Sequence, residues 1–245
     1  MANLYLREDL DDAAQGAEVV LEGQEARHAV AVSRTRVGDR LRVSNGRGLV
    51  VEGVVEVAEP STVVVRADAV YRVERSAPRL VLVQALAKGD RDELAVQAAV
   101  ELGVDAIVPW QASRSVSRWQ GEKVSKGVLR WRAVVREATK QSMRPWLAEV
   151  TEPVTTARLA DRAQHSRMLV LEPGAPLRLV SSRFDEGDDR DIVVVVGPEG
   201  GISPEESERL VGAGAGSVRL GDSVLRTSSA GPAAIAVLNA TLGRW

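Results

Sequence analysis

The stretch from Ile192 to Glu206, IVVVVGPEGGISPEE, constrains the fold more than any other part of the chain. Four consecutive valines after Ile192 show no polar alternation, so the strand they predict is buried on both faces, the situation of a strand inside a parallel sheet. In open sheets of that kind, ligands bind just beyond the carboxyl ends of the strands. The turn Gly197-Pro198-Glu199-Gly200-Gly201, followed by Ile202, lies at such an end and lets backbone approach a ligand closely. Ser203, Pro204 and Glu206 then spell a helix start: a capping hydroxyl, a proline at the first helical position, and an acid that completes a capping box.

That turn suits either a phosphate or a nucleoside-like cofactor. The phosphate fingerprints fail, because a P-loop needs a lysine after its second glycine and the dinucleotide motif needs G-x-G-x-x-G straight after the strand. Gly212 to Gly216, GAGAG, has the wrong spacing and follows a helix. Two further strand ends resemble the first in layout. In LGDSVLRTSSAGP a strand closes at Leu220 and Gly221-Asp222 turns the chain. Val224 and Leu225 either line a pocket or plug the loop onto the core, Arg226 supplies charge, and Thr227, Ser228 or Ser229 caps the last helix. In Leu171-Glu172-Pro173-Gly174, Glu172 either accepts hydrogen bonds from a ligand or caps the segment that follows. Three such ends in one sheet can converge on one cleft.

At 245 residues the chain fits two unequal domains. Residues 1–73 read as a small β-barrel module of strands and tight turns, with a hairpin signal at Asn45-Gly46 and one helix from about Gln24 to Thr35. Ser76-Ala77-Pro78 breaks that pattern, and residues 74–245 alternate strand and helix as a mostly parallel α/β domain does. There the pattern predicts a strand in RLVLVQAL, a helix from Asp90 to Leu102 capped by Asp90, and a strand at Ala106 to Pro109. A long helix follows from about Glu122 to Arg144, then strands at Met168 to Leu171, Ile192 to Val196 and Ser217 to Leu220, and a last helix from about Ser228 to Leu242. Cysteine is absent and there are two histidines, His28 and His165, which excludes thiolate and histidine-based metal sites. The acids from Asp185 to Asp191 are read as solvated. No apolar run approaches the roughly 20 residues a bilayer span needs, and the N-terminus lacks a secretory pattern, so no membrane is expected and cytoplasm is the default.

A net charge of -2 decides nothing about nucleic acid, but the placement of cations does. Arg132, Arg136, Lys140 and Arg144 recur every fourth residue and form one ridge on the long helix, opposite Trp131, Val134, Val135 and Ala138. Such a ridge either follows an RNA phosphate backbone or is a solvated face. Gln24 to Gly48 carries Arg27, Arg34, Arg36, Arg40, Arg42 and Arg47 against Glu25 and Asp39, the footprint of an RNA-docking patch. His28 lies on the same helix.

Taken in order, RHAVAVSRTRVGD, LAKGDRDELAVQAAVELGVDAIVP, RWRAVVREATKQSMRP, GPEGGISPEE and LGDSVLRTSSA resemble the bacterial ribosomal RNA small-subunit uridine N3-methyltransferases of the RsmE type, over nearly the whole chain. The resemblance implies a PUA-like N-terminal barrel and a C-terminal SPOUT methyltransferase domain with a trefoil knot, a feature that spacing alone argues against because knots are rare. It also implies S-adenosyl-L-methionine as cofactor, held by the loops Leu171 to Gly174, Gly197 to Ile202 and Leu220 to Arg226, a homodimer that completes each active site, and small-subunit ribosomal RNA as partner, naked or within the assembled subunit. Arg136, Arg144 and Arg226 are the expected catalytic arginines, stabilising charge on the uracil oxygens. Arg27, His28, Arg34, Arg36, Arg132 and Lys140 are the expected RNA contacts. Glu137 and Glu199 are candidate bases by residue type alone. One departure stands out: Ser228-Ser229 occupies the place of the family's usual Glu-Thr, so no role of that glutamate transfers. The competing reading is a non-catalytic RNA-binding or ribosome-assembly protein.

Overall fold

The computed structural model describes residues 3–185 and 187–245. The chain divides into two compact units, one made of residues up to Arg75 together with Thr139–Leu147, the other of Ser76–Ala138 and Ala148–Trp245.

The smaller unit holds strands β1 (Asn3–Leu6), β2 (Glu18–Glu22), β3 (Arg40–Ser44), β4 (Leu49–Glu59) and β5 (Thr62–Arg72) in one sheet of order β1-β3-β4-β5-β2. All pairings are antiparallel except β1 with β3. Between β2 and β3 the expected helix is α1 (Gly23–Arg27), continued by a π-helical turn at His28–Val32. Alternating side chains such as Val19, Leu21, Val43, Val51, Val63 and Val65 bury one face of the sheet. At the expected hairpin, the Asn45 side-chain oxygen accepts from the backbone N–H groups of Arg47 (2.8 Å) and Leu49 (3.1 Å). The segment 139–147 joins this unit because it completes that turn: Gly48 N–H donates to the Pro145 carbonyl at 3.1 Å and Leu147 N–H to the Gly46 carbonyl at 2.9 Å.

In the larger unit, β11 (Ile192–Val196) has the limits the valine run predicts, and none of its five side chains exceeds 3% exposure. Burying each contributes roughly 1.5–3 kcal/mol. The cause is position, since the seven-stranded sheet runs β10-β12-β9-β11-β6-β7-β8, all parallel, with β11 in the middle. Its neighbours are β6 (Leu80–Ala85) and β9 (Arg167–Leu171); outward lie β7 (Ala106–Trp110) and β8 (Glu149–Val150) on one side, β12 (Gly216–Arg219) and β10 (Leu177–Arg178) on the other. One face packs α4 (Thr156–Ala163) and α5 (Pro204–Gly212) against Val193 and Val195. The opposite face packs α6 (Thr227–Thr241), which also contacts α2 (Arg91–Glu101). Gly231 of α6 allows the approach, because a Cβ there would stand 2.9 Å from a Leu82 methyl.

Several local expectations need correction. Asp90 adopts φ 59°, the left-handed region, and makes no capping bond. Its neighbour Asp92 accepts instead, from the N–H groups of Glu93 at 2.9 Å and Ala87 at 3.1 Å. The long helix, α3 (Glu122–Gln141), stops three residues early because Met143 turns left-handed at φ 58°, so Arg144 lies outside it. Helix α6 has no side-chain cap; Thr227, Ser228 and Ser229 lie inside it. Within the charged loop Asp185 to Asp191, Glu186 lies outside the described residues. Asp188 is not simply solvated: Arg190 and Arg167 bond to it at 2.8 and 2.5 Å and hold its carboxyl far below the usual range.

The β4–β5 pairing contains a register shift at Glu52/Gly53, and a Cβ on Gly53 would lie 2.1 Å from the Arg66 carbonyl oxygen. Backbone cannot yield as a side-chain tip does, so Gly53→Ala is expected to cost about 1–3 kcal/mol. Urea unfolding followed by fluorescence should show a lower midpoint; an unchanged midpoint contradicts this packing.

Candidate active site

Because the larger sheet is wholly parallel, all its carboxyl ends lie at one edge, and the loops after β9, β11 and β12 enclose a cavity of about 860 Å³ there. Leu171, Glu172, Pro173 and Gly174 line it from the first loop, Gly197, Glu199, Gly201 and Ile202 from the second. Leu220, Gly221, Val224, Leu225 and Arg226 line it from the third. Gly200 is the exception among the expected residues. Its carbonyl accepts from Arg114 Nη1 at 3.1 Å, and a Cβ would meet Arg114 at 3.3 Å, so it faces that side chain and not the cavity.

Each loop is held by side chains from the surrounding elements. The β11 turn is tight: a Cβ on Gly197 would fall 2.7 Å from Ile202 Cγ1, and Gly201 has φ 73°. Behind it the capping box forms as the spacing requires, with Glu206 N–H donating to Ser203 Oγ at 3.2 Å. The Glu206 carboxylate does more than close that box. It accepts from Ser113 N–H (2.9 Å), Ser113 Oγ (2.7 Å) and Thr156 Oγ1 (2.7 Å), although it is buried. Burial alone pushes its pKa up, yet these donors outweigh that and hold it below the ordinary carboxylate range.

In the first loop Glu172 accepts from Ser217 Oγ at 2.6 Å, tying the loop after β9 to β12. Arg219 donates to the carbonyls of Ala175 and Pro176, which fixes the same loop from β12. Glu199 reaches away from its own turn: its Oε1 accepts from Arg91 Nη1 at 3.0 Å and from Lys88 N–H at 3.2 Å. Partial burial opposes the charge, but these bonds leave its pKa lowered, which disfavours it as a general base. The third loop meets the second through Thr227, whose hydroxyl donates to the Gly197 carbonyl at 2.8 Å and accepts from Gln84 Nε2 at 3.0 Å.

Arg91 and Arg219 also line the cavity and were not singled out by sequence, and Thr227, which the sequence offered only as a helix cap, lines it too. Arg91 carried a usable signal, since it opens the helix after β6, a fourth strand end at the same edge.

The expected cations separate into distinct groups. Arg226 lines the cavity, is exposed, and has no ion-pair partner among the described residues. Arg136 is half-buried on α3, where desolvation pushes its guanidinium pKa down against the opposing charge of Glu137. Arg144 belongs to the smaller unit. Arg132 is exposed and donates to the Val150 carbonyl at 3.4 Å. Lys140 does not belong to an exposed ridge: its side chain is 5% exposed and its Nζ lies 3.3 Å from Glu25 Oε1. The ridge fails because α3 turns this position into the core of the smaller unit. In that unit Arg27, Arg34 and Arg36 are exposed, whereas Arg40, Arg42 and Arg47 are neutralised by Asp68, Glu52 and Asp11. His28 is half-buried, its ring edge-on to Tyr5 at 6.2 Å and its Nδ1 turned inward, which makes it a packing residue. Among the described residues no cluster is placed to hold a metal, and no helix is long and apolar enough to cross a membrane.

Comparison with known proteins places this cavity in context. Residues 74–239 match the family model of an RNA methyltransferase domain, and residues 21–68 that of an RNA methyltransferase PUA domain. Ribosomal RNA small subunit methyltransferase E of Mycobacterium bovis is 39% identical, covering 100% of this chain and 94% of the relative. The Bacillus subtilis protein of the same name is 29% identical over 86% and 85%. Among solved structures, the methyltransferase E of Neisseria gonorrhoeae, bound to S-adenosyl methionine, superposes with a TM-score of 0.86 at 26% identity, over 98% of both chains. A Legionella pneumophila methyltransferase carrying the same cofactor gives a TM-score of 0.86 at 28% identity, again over 98% of each chain.

Glu206 offers a direct check on how the turn is held. Its folded pKa lies below the unfolded value of about 4.3, so its stabilisation is present above that pH and is lost as pH falls through the lower folded value. Glu206→Gln, which turns acceptors into an amide facing donors, should cost about 1–3 kcal/mol at pH 7. The gap in melting temperature between the two proteins should narrow below about pH 4; a constant gap from pH 7 to 3 excludes this role.

Proposed function

This chain belongs to the ribosomal RNA small subunit methyltransferase E family, and we propose that it transfers a methyl group from S-adenosyl-L-methionine to ring nitrogen N3 of one uridine in small-subunit ribosomal RNA. The observation that carries the reading is the cavity enclosed by three strand-end loops of one parallel sheet. Its volume of about 860 Å³ suits a nucleoside-sized ligand, since such sites span roughly 300–1,000 Å³. Its lining mixes apolar groups fit for a purine with backbone donors and acceptors and both signs of charge. Leu171 to Gly174, Gly197 to Ile202 without Gly200, and Leu220 to Arg226 are the residues that would hold the cofactor. The trefoil knot usual in this superfamily would weave the same loops together.

The cofactor supplies an electrophilic methyl group on a sulfonium. Acceptance by N3 requires that its proton leave, that the N–C bond form, and that the C–S bonding pair stay with sulfur. N3 lies on the pairing edge of uracil, so the base enters unpaired or flipped out. Arg226 stabilises negative charge on the uracil oxygens in this reading, which its exposure at the cavity rim without an ion-pair partner among the described residues supports. Ser228 and Ser229 leave the first turn of α6 without an acidic residue, which keeps that charge uncompensated. Arg136 and Arg144 are carried as further catalytic arginines on the family motif RWRAVVREATKQSMRP alone. Arg27, Arg34, Arg36 and Arg132 dock the RNA, naked or within the assembled subunit, through phosphate contacts.

The working form is a homodimer in the cytoplasm. Val224 and Leu225, 77% and 39% exposed, and Leu177 and Val180, 63% and 58% exposed, support that assembly as apolar groups without cover in the single chain. The non-catalytic alternative predicts no cofactor binding.

Mass mapping of ribosomal RNA from cells lacking the protein should show one N3-methyluridine missing and restored by the intact chain; full methylation in its absence contradicts the reading. Arg226→Ala should lower kcat about 10²-fold, well beyond any loss of cofactor affinity measured alongside it. Replacing Arg34 and Arg36 together by alanine should weaken RNA binding and flatten its log–log salt dependence by about 1.4–1.8. Binding measured at several salt concentrations checks this, and an unchanged slope removes both residues from the RNA surface.

A further inference from the structure

Gln84 stands at the buried end of β6 with both amide hydrogens used: Nε2 donates to the Ala85 carbonyl at 3.2 Å and to Thr227 Oγ1 at 3.0 Å. An amide nitrogen only donates, so Thr227 Oγ1 accepts there and its single hydrogen goes to the Gly197 carbonyl, 2.8 Å away. The direction of the relay is therefore fixed. Turning the amide over would set Gln84 Oε1 against the Ala85 carbonyl, acceptor facing acceptor. The orientation is kept although Oε1 is left buried without a hydrogen-bond partner, a state that costs about 1–3 kcal/mol.

The carbonyl at the end of this relay is not an ordinary one. Gly197 precedes Pro198, whose nitrogen carries no hydrogen, so the Gly197 oxygen is the only hydrogen-bonding group of that peptide. Holding it holds the peptide plane on which the chain leaves β11. From that plane the turn closes through Gly201 N–H to the Pro198 carbonyl at 2.9 Å. Ile202 then packs where a Cβ on Gly197 would otherwise be.

We propose that Thr227 is a positioning residue, oriented by Gln84, whose hydroxyl sets the Gly197–Pro198 peptide plane and with it the backbone shape of the cofactor side of the cavity. The inference rests on the reading of that cavity as the S-adenosyl-L-methionine site. It gives Thr227 a task unrelated to helix capping, since α6 has no side-chain cap.

The test uses the full-length protein, with S-adenosylhomocysteine titrated calorimetrically and initial rates measured against cofactor and RNA separately. Thr227→Val keeps the shape and removes the hydrogen; it should weaken S-adenosylhomocysteine binding about 10-fold and raise the cofactor KM similarly, with the RNA KM unchanged. Thr227→Ser should recover binding to within about twofold, because it restores the hydroxyl. Gln84→Leu should weaken binding less, and adding it to Thr227→Val should change little further, as expected for members of one relay. Hydrogen exchange should quicken at the amides of residues 199–202 in both variants while α6 stays protected. If Thr227→Val does not fold, Gln84→Leu and the exchange pattern decide alone. Wild-type affinity and unchanged exchange in the variants overturn the inference. Absence of binding by the wild-type protein instead overturns the cofactor reading, whatever the variants do.

Discussion

The architecture of the larger unit depends on one constraint: β11 offers nothing but aliphatic side chains, and both of its faces must be covered. A strand with no polar face cannot lie at an edge or against solvent, so other parallel strands flank it and helices cover each side. Parallel pairing has a second effect. It puts the carboxyl ends of β9, β11, β12 and β6 on the same edge, and the loops that reverse the chain there are brought together without any sequence signal linking them. The site is a by-product of how the core is buried.

What those loops then require is stiffness, and the chain supplies it with side chains directed at backbone. Glu206 fixes the start of α5, Thr227 the start of the β11 turn, Ser217 and Arg219 the loop after β9. Glu199 shows how such a network also sorts roles. A carboxylate at the cavity rim looks like a base until its partners are counted; with Arg91 and the Lys88 amide upon it, it serves as an anchor between β6 and β11. Among the described charged residues lining the cavity, the cation without an ion-pair partner is Arg226, and the first turn of α6 that follows it carries no acidic residue.

Short-range physics was legible in the sequence. The limits of β11 follow from its valines, and the capping box from Ser203 and Glu206 three residues apart. The layout of three strand ends came from the glycine and proline punctuation around them. What sequence did not show was long-range pairing. Lys140 fits a cationic ridge by its spacing, and is removed from it by Glu25, 115 residues earlier. Thr227 reads as a cap, and is committed instead to Gln84, 143 residues earlier. Arg144 left its predicted helix because Met143 adopts a left-handed backbone that no periodicity announces. The family resemblance supplied what spacing could not, the identity of the ligand and of the RNA.

The return of residues 139–147 to the smaller unit also bears on the order in which the protein can mature on the ribosome. That unit is encoded in two pieces, and the hairpin between β3 and β4 keeps backbone donors and acceptors open until Pro145 and Leu147 arrive. The intervening residues 76–138 take several seconds to make at roughly 5–20 residues per second. Throughout that interval the nascent N-terminal module has a hydrated seam where its last segment will dock, and its completion is tied to synthesis of the first part of the larger unit. Two domains that look sequential in the gene are thus kinetically interleaved in assembly.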